Sequence, residues 1–281
     1  MKKYLFTALL FLQTLSTVHA LEVKGFKPDA SVEYKKTAKK PLKLHFFYPP
    51  DYKKTNADKY PAIVFFFGGG WSSGSASQFY PFCKHLADQG VVAISADYRT
   101  AKSHGTSPKE CVMDAKSAVR WIRKNAEAYN IDPKRIAAGG GSAGGHIAAA
   151  TGTSTTFEEE GEDKSVSSMP NLLVLFNPVL DNGPGGWGHS KVKKYYKEIS
   201  PMHNITKETP NSIFFLGSKD DLIPVKVGEE WDKKMKAAGK KSELHIWDGQ
   251  KHGFFNYRNK VIYDEILVKM DAFLKDEGYL K

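Results

Sequence analysis

The sequence has 281 residues and a formal net charge of +10, with 41% hydrophobic and 26% charged residues. That length is enough for one large buried core. The lysines fall in scattered pairs, Lys35-Lys36, Lys39-Lys40, Lys193-Lys194, Lys233-Lys234 and Lys240-Lys241, as on solvated faces, and with no nucleic-acid-binding motif present no nucleic-acid partner is expected.

In chain order, Lys2 and Lys3 precede an apolar run over residues 4–15, and Val18-His19-Ala20 places small residues where a signal peptidase reads. This pattern predicts a secretory signal over residues 1–20, too short to span a bilayer as a helix. The expected domain is then residues 21–281, exported to the periplasm or beyond. No later apolar stretch is long enough for membrane insertion. Residues 31–36 and 42–48 read as a first, antiparallel pair of strands, stopped by Pro49-Pro50-Asp51. The run over 62–67 is apolar throughout, as in a central strand covered on both faces. A helix is predicted over 78–89, ending at Gly90, then a buried strand over 91–96. Residues 108–129 read as a long amphipathic helix, with Val112, Ala115, Val119, Ile122 and Ala126 on one stripe. A strand over 135–138 enters a glycine cluster, and a helix leaves it over 142–151. Strands follow over 171–176, 213–216 and 244–247. Helices over 225–238, stopped by Gly239, and over 261–274 complete the pattern.

Strands alternating with helices predict an α/β fold: a mostly parallel eight-stranded sheet with helices on both faces. Two segments, 154–170, which is polar, and 182–204, which is rich in glycine and aromatics, read as long loops after strands, on the edge where ligands bind. Within the first, Glu158-Glu159-Glu160 reads as a solvated acidic face. Two cysteines are present, Cys83 and Cys111. An oxidising compartment permits a bridge between them, and two buried thiols is the other arrangement. No cluster has metal-ligand spacing and the nine histidines are dispersed, so no metal is expected.

Gly140, Ser142 and Gly144 form a G-x-S-x-G pattern between an apolar run and a helix. The pattern describes a sharp strand-to-helix turn with a strained serine at its tip. It lacks the Lys-Ser/Thr ending of a phosphate-binding loop and the G-x-G-x-x-G spacing of a dinucleotide loop. A serine nucleophile needs a base and a carboxylate to orient it, here in chain order serine, acid, histidine. Leu216-Gly217-Ser218-Lys219-Asp220-Asp221 places two aspartates just past a strand, and Lys251-His252-Gly253-Phe254 places a histidine after the final one. His245 lies within a predicted strand, and His146 begins a helix after the serine. Gly68-Gly69-Gly70-Trp71, at the end of a central strand, offers backbone N–H groups for an oxyanion hole.

This assembly resembles the α/β-hydrolase superfamily over essentially the whole expected domain. The nearest likeness is to secreted bacterial acetylxylan and feruloyl esterases, near the hormone-sensitive-lipase-like group. It is carried by the serine turn, Gly217-Ser-Lys-Asp220-x-x-Ile-Pro224, His252-Gly253-Phe254, Ala96-Asp97-Tyr98-Arg99 and the stretch from Asp114 to Trp121. The resemblance implies Ser142 as nucleophile, Asp220 as acid and His252 as base. It also implies an oxyanion hole from the N–H groups of Gly69, Gly70 and Ala143, and no cofactor. Its expected substrates are small esters or acylated polysaccharide such as xylan, on which Trp71, Trp187 and Tyr195 could stack. The chain departs from the family at Phe67, where a histidine usually braces the glycine loop. A general carboxylesterase or lipase and a non-catalytic binding protein on this fold are the alternative readings.

Overall fold

The structure is a computed structural model that describes residues 25–55 and 58–281. The expected signal segment, 1–20, lies outside the described residues. Eight strands form one sheet: β1 (Ala30–Lys35), β2 (Leu42–Phe47), β3 (Tyr60–Phe66), β4 (Val92–Ala96), β5 (Ile131–Gly141), β6 (Leu172–Phe176), β7 (Asn211–Gly217) and β8 (Ser242–Trp247). Their spatial order is β1-β2-β4-β3-β5-β6-β7-β8. β2 is antiparallel to both neighbours, and every pairing from β4 to β8 is parallel. The expected α/β architecture and its antiparallel start are both present.

The helices are α1 (Tyr80–Ala87), α2 (Ala101–His104), α3 (Pro108–Lys124), α4 (Ala143–Thr153), α5 (His189–Val192), α6 (Tyr196–Ile199), α7 (Val225–Ala237) and α8 (Lys260–Asp276). Alternate residues of each strand point to opposite faces, so β3 sends Ala62, Val64 and Phe66 into one core and Ile63 and Phe65 into the other. Residues of α3, α4 and α7 close the first core, and residues of α1 and α8 close the second. The long helix predicted to residue 129 stops at Lys124, where the Asn125 side chain donates to the Trp121 carbonyl. Pro81, which has no N–H to give to a preceding turn, marks the switch from a 3-10 turn over Ala76–Phe79 to α1.

Cys83 and Cys111 are both buried free thiols. They belong to different cores, on opposite faces of the sheet, which rules out the bridge that the sequence left open.

Of the acidic run only Glu160 is the exposed residue expected; for Glu158 and Glu159 the expectation of a solvated face is corrected. Glu159 pairs with Lys35 and Arg99, and both bases also bind the fully buried Asp114 carboxylate. Glu158 takes Lys116 and Arg120 at 2.6 Å each, and Glu162 takes Arg120 as well. The segment is thereby fastened along α3. Nothing local distinguishes such a run from a solvated one, because its partners lie some forty residues or more away in the chain.

Candidate active site

Ser142 stands between β5 and α4 with φ 54° and ψ −118°. A non-glycine residue is rare at such φ, and this one places the serine at the tip of a sharp turn. The flanking glycines are sterically required: a Cβ on Gly140 would lie 2.5 Å from the Phe66 carbonyl oxygen, and one on Gly144 would overlap that same oxygen. One on Gly141 would overlap the Phe255 ring.

The loops after β7 and β8 meet at this serine. His252 Nε2 lies 2.9 Å from Ser142 Oγ, and His252 Nδ1 lies 2.8 Å from Asp220 Oδ2. The Asp220 carboxylate is fully buried, and its other oxygen accepts the N–H groups of Leu222 and Ile223 at 2.9 Å each. A carboxylate holding only acceptors obliges Nδ1 to carry the proton, leaving Nε2 free to accept from the serine hydroxyl. Asp221 is exposed and His245 sits on β8 against Phe215, so neither joins the cluster.

Three further polar side chains hold the loops, and sequence reasoning missed all of them. Asn177, fully buried with φ 35°, accepts the Gly253 N–H at 3.0 Å and brings its amide to 3.5 Å from His252 Nε2. Gln78 accepts the Gly68 N–H at 2.7 Å and donates to Asn256 at 2.9 Å. Asn256 in turn donates to the Gly253 carbonyl at 2.7 Å. The glycine loop and the histidine loop are thus bridged by two amides. No motif marks them, since each works only through long-range proximity.

Gly68 lies against the serine, with the position of a Cβ only 3.4 Å from Ser142 Cβ. Beyond it, the Gly69 carbonyl accepts the N–H groups of Ser72 and Ser73 at 3.0 and 3.1 Å. A trans peptide points its N–H opposite to its carbonyl, so the Gly70 N–H faces out of that turn. Among the described residues, the N–H groups of Gly69, Gly70 and Ala143 meet no backbone or side-chain acceptor, and Ala143 opens the first turn of α4, where N–H groups are free by construction. Phe67, in place of the family's histidine, stacks on Tyr98 at 4.1 Å while the Tyr98 hydroxyl donates to the Phe67 carbonyl at 2.7 Å. The brace is aromatic here, and Gly74 leaves room for the ring.

The three candidate aromatics separate. Trp71 is only 1% exposed and donates its Nε1–H to His146 Nδ1 at 3.3 Å. His146 Nε2 then donates to the Ile199 carbonyl at 3.1 Å. Burial pushes the His146 imidazole down to about 4, against the hydrogen bonds to Ile199 and Asn182, so the ring is neutral. Trp71 is therefore a packing residue with no free face, which corrects its assignment to substrate. Trp187 is partly exposed and lies directly on Gly70, 3.2 Å from where a Cβ would stand. Tyr195 is partly exposed and packs edge-on against Phe157 at 5.5 Å. Segment 182–204, expected as a long loop, carries the short helices α5 and α6 and reaches the glycine turn through Trp187. Two cavities, of about 360 and 770 Å³, open at the opposite, amino-terminal ends of the strands and include none of these residues. Among the described residues no group of side chains could hold a metal ion, and no helix is long and apolar enough to cross a membrane.

A BD-FAE family model matches residues 47–182, and a dienelactone hydrolase family model matches residues 188–273. Among curated relatives, the esterase LipC of Mycobacterium tuberculosis is 28% identical over 224 residues, covering 69% of this chain and 53% of its own. An acetylxylan esterase of Xylanibacter ruminicola is 27% identical over 223 residues, covering 72% of this chain and 44% of its own. The chain spans about half the length of the curated relatives it matches. The native structure of esterase 2 of Thermogutta terrifontis superposes with a TM-score of 0.84 at 40% identity, covering 89% of this chain and 93% of that one. Other structures of that esterase contain butyrate or propionate, or are phosphorylated by paraoxon.

Proposed function

The chain belongs to the α/β-hydrolase esterases, and from that premise we propose that it is a serine carboxylic ester hydrolase working through an acyl-enzyme. The observation that carries the reading is the unbroken relay from a strained Ser142 Oγ to His252 Nε2 and from His252 Nδ1 to the buried Asp220. His252 takes the hydroxyl proton as Ser142 attacks the ester carbonyl. Asp220 keeps the imidazole in the productive tautomer and stabilises its cationic form. The carbonyl oxygen, gaining negative charge, rests on the N–H groups of Gly69, Gly70 and Ala143. His252 then protonates the departing alkoxide, and a water molecule repeats the sequence on the acyl-enzyme.

Butyrate and propionate are found in the related thermophilic esterase, which supports an acyl group other than a long fatty chain. In its finer form the proposal is removal of acetyl or feruloyl groups from polysaccharide such as xylan, supported by similarity to an acetylxylan esterase. The second reading, a short-chain carboxylesterase with no polysaccharide role, is favoured by the small bound acids of the thermophilic relative. Export of the chain is proposed on the pattern of residues 1–20.

The test is hydrolysis of 4-nitrophenyl acetate, a long-chain 4-nitrophenyl ester, acetylated xylan and methyl ferulate, each beside Ser142→Ala. Short-chain turnover that disappears in the variant is expected, together with stoichiometric labelling of Ser142 by paraoxon. Equal turnover in the variant sinks the serine mechanism. Preference for the long-chain ester sinks the polysaccharide reading.

A further inference from the structure

The segment that covers the oxyanion loop carries an unneutralised cation. Lys191, in the short helix α5, donates to the Gly70 carbonyl at 3.0 Å and to Ser72 Oγ at 3.1 Å. Its ammonium lies 5.9 and 6.0 Å from the ring centres of Trp71 and Trp187. These partners are all neutral. An ammonium has three donors, and the two hydrogen bonds leave one for a further acceptor on the exposed side.

The surroundings do not balance the charge. Between Asp181 and Glu198 the chain has Lys191, Lys193, Lys194 and Lys197 and no carboxylate. Among the described residues none of these four lysines forms an ion pair, and Asp181, at the segment's start, lies 3.9 Å from His203. The glycine loop beneath, residues 68–79, contains no charged side chain. The contrast with α3 is plain, where Lys116 and Arg120 each face a glutamate. Lys191 also bonds the carbonyl of the very residue whose N–H is offered to the reacting oxygen, so its charge sits on the rim of the oxyanion loop, joined to it through Gly70.

We infer that this rim is a subsite for a carboxylate carried by the ester substrate, with Lys191 as the residue that selects it. The inference rests on the esterase reading above and names its substrate class: esters with an anionic group next to the reacting centre. The carboxylate belongs either to the acyl part, as in a dicarboxylic half-ester, or to the alcohol part, as in an acylated acidic sugar. Trp187 supplies an apolar floor beside it, over Gly70. Attraction between exposed charges is modest, so the preference is a few-fold in kcat/KM and is screened by salt.

The test compares two isosteric pairs on the full chain. Mono(4-nitrophenyl) glutarate against the 4-nitrophenyl ester of glutaric acid monoamide probes the acyl side, read by nitrophenolate release. 3-Acetoxybenzoate against 3-acetoxybenzamide probes the alcohol side, read by phenol release. The quantity compared is the ratio of kcat/KM for the anionic and neutral members, in wild type, Lys191→Met and Lys191→Arg. Loss of the Gly70 hydrogen bond slows both members together and cancels in the ratio. The wild-type ratio should exceed that of Lys191→Met by about two- to fivefold for one pair at low ionic strength. Salt at about 0.5 M should remove the difference, and Lys191→Arg should keep it. Equal ratios in wild type and Lys191→Met for both pairs overturn the inference. So does a wild-type ratio that salt does not lower, a result that needs no variant to fold. Failure of the underlying esterase reading looks different: the neutral members would still be turned over by Ser142→Ala.

Discussion

Replacing Glu158 by Gln should destabilise the fold far more than an acidic loop residue normally does. Lys116 is 1% exposed, and its ammonium binds Glu158 Oε1 at 2.6 Å and the Thr156 carbonyl at 2.5 Å. The second Glu158 oxygen binds Arg120 at 2.6 Å. Without the carboxylate charge, two cations face one another, and one of them has almost no water. Removing one partner of a buried pair costs about 3–5 kcal/mol. The Glu158 side chain is 22% exposed, so solvent screens part of the interaction and the expectation falls to about 2–4 kcal/mol. Lys116→Met should cost less, because methionine fills the volume of the stem and Glu158 keeps Arg120. The double variant should then cost less than the two single losses together, by about 1 kcal/mol or more. Urea denaturation at neutral pH, with slopes compared among the four proteins, measures all three values. Additive losses, or a cost below about 1 kcal/mol for Glu158→Gln, would refute the ion-pair account. The pH dependence gives a second check. Burial raises the Glu158 carboxyl, but its hydrogen bonds and charge pairing with Lys116 and Arg120 outweigh this and hold it below the ordinary glutamate value. A depressed folded value means that the stabilisation is complete above the unfolded pKa, about 4.3, and is lost as pH falls through the folded one. The penalty of Glu158→Gln should therefore shrink in acid.

Asp220→Asn should lower kcat by about a thousandfold or more, through loss of the productive tautomer, while Asp221→Asn, at an exposed position, should change it little; similar effects at the two positions would overturn the assignment of the acid. Asn177→Ala should destabilise the protein by about 2 kcal/mol, from the orphaned Gly253 N–H and the left-handed backbone, and Asn177→Gly by about 1 kcal/mol less, since glycine tolerates that φ; equal denaturation midpoints for the two variants would remove the backbone contribution. His146, lowered to about 4 by burial, takes up protons in the unfolded chain before the folded one, so its contribution to stability is present above about pH 6.5 and falls as pH drops toward 4; a histidine proton resonance that titrates near pH 6.5 for this residue would contradict its burial.

The local sequence determined the order of the elements and the kind of turn at Ser142. Apolar runs and the stripe on α3 report burial, and burial repeats at the period of the element that carries it. The glycines around Ser142 report backbone contacts with the Phe66 carbonyl that no side chain could survive. Serine, acid and histidine follow three separate strands in chain order, and the sheet needs only parallel pairing of β5 through β8 to deliver their loops to one edge. Tertiary structure decided what depends on who meets whom. The amides of Asn177, Gln78 and Asn256 gain their roles from partners up to 178 residues away. Trp71 became core because His146 and Gly188 lie against its ring. Glu158 and Glu159 became ion-pair partners because α3, β1 and Arg99 turn bases toward them, and the two cysteines fell on opposite faces of the sheet. A side chain's identity states what it can bond; only the packed chain settles which donors, acceptors and charges stand within reach.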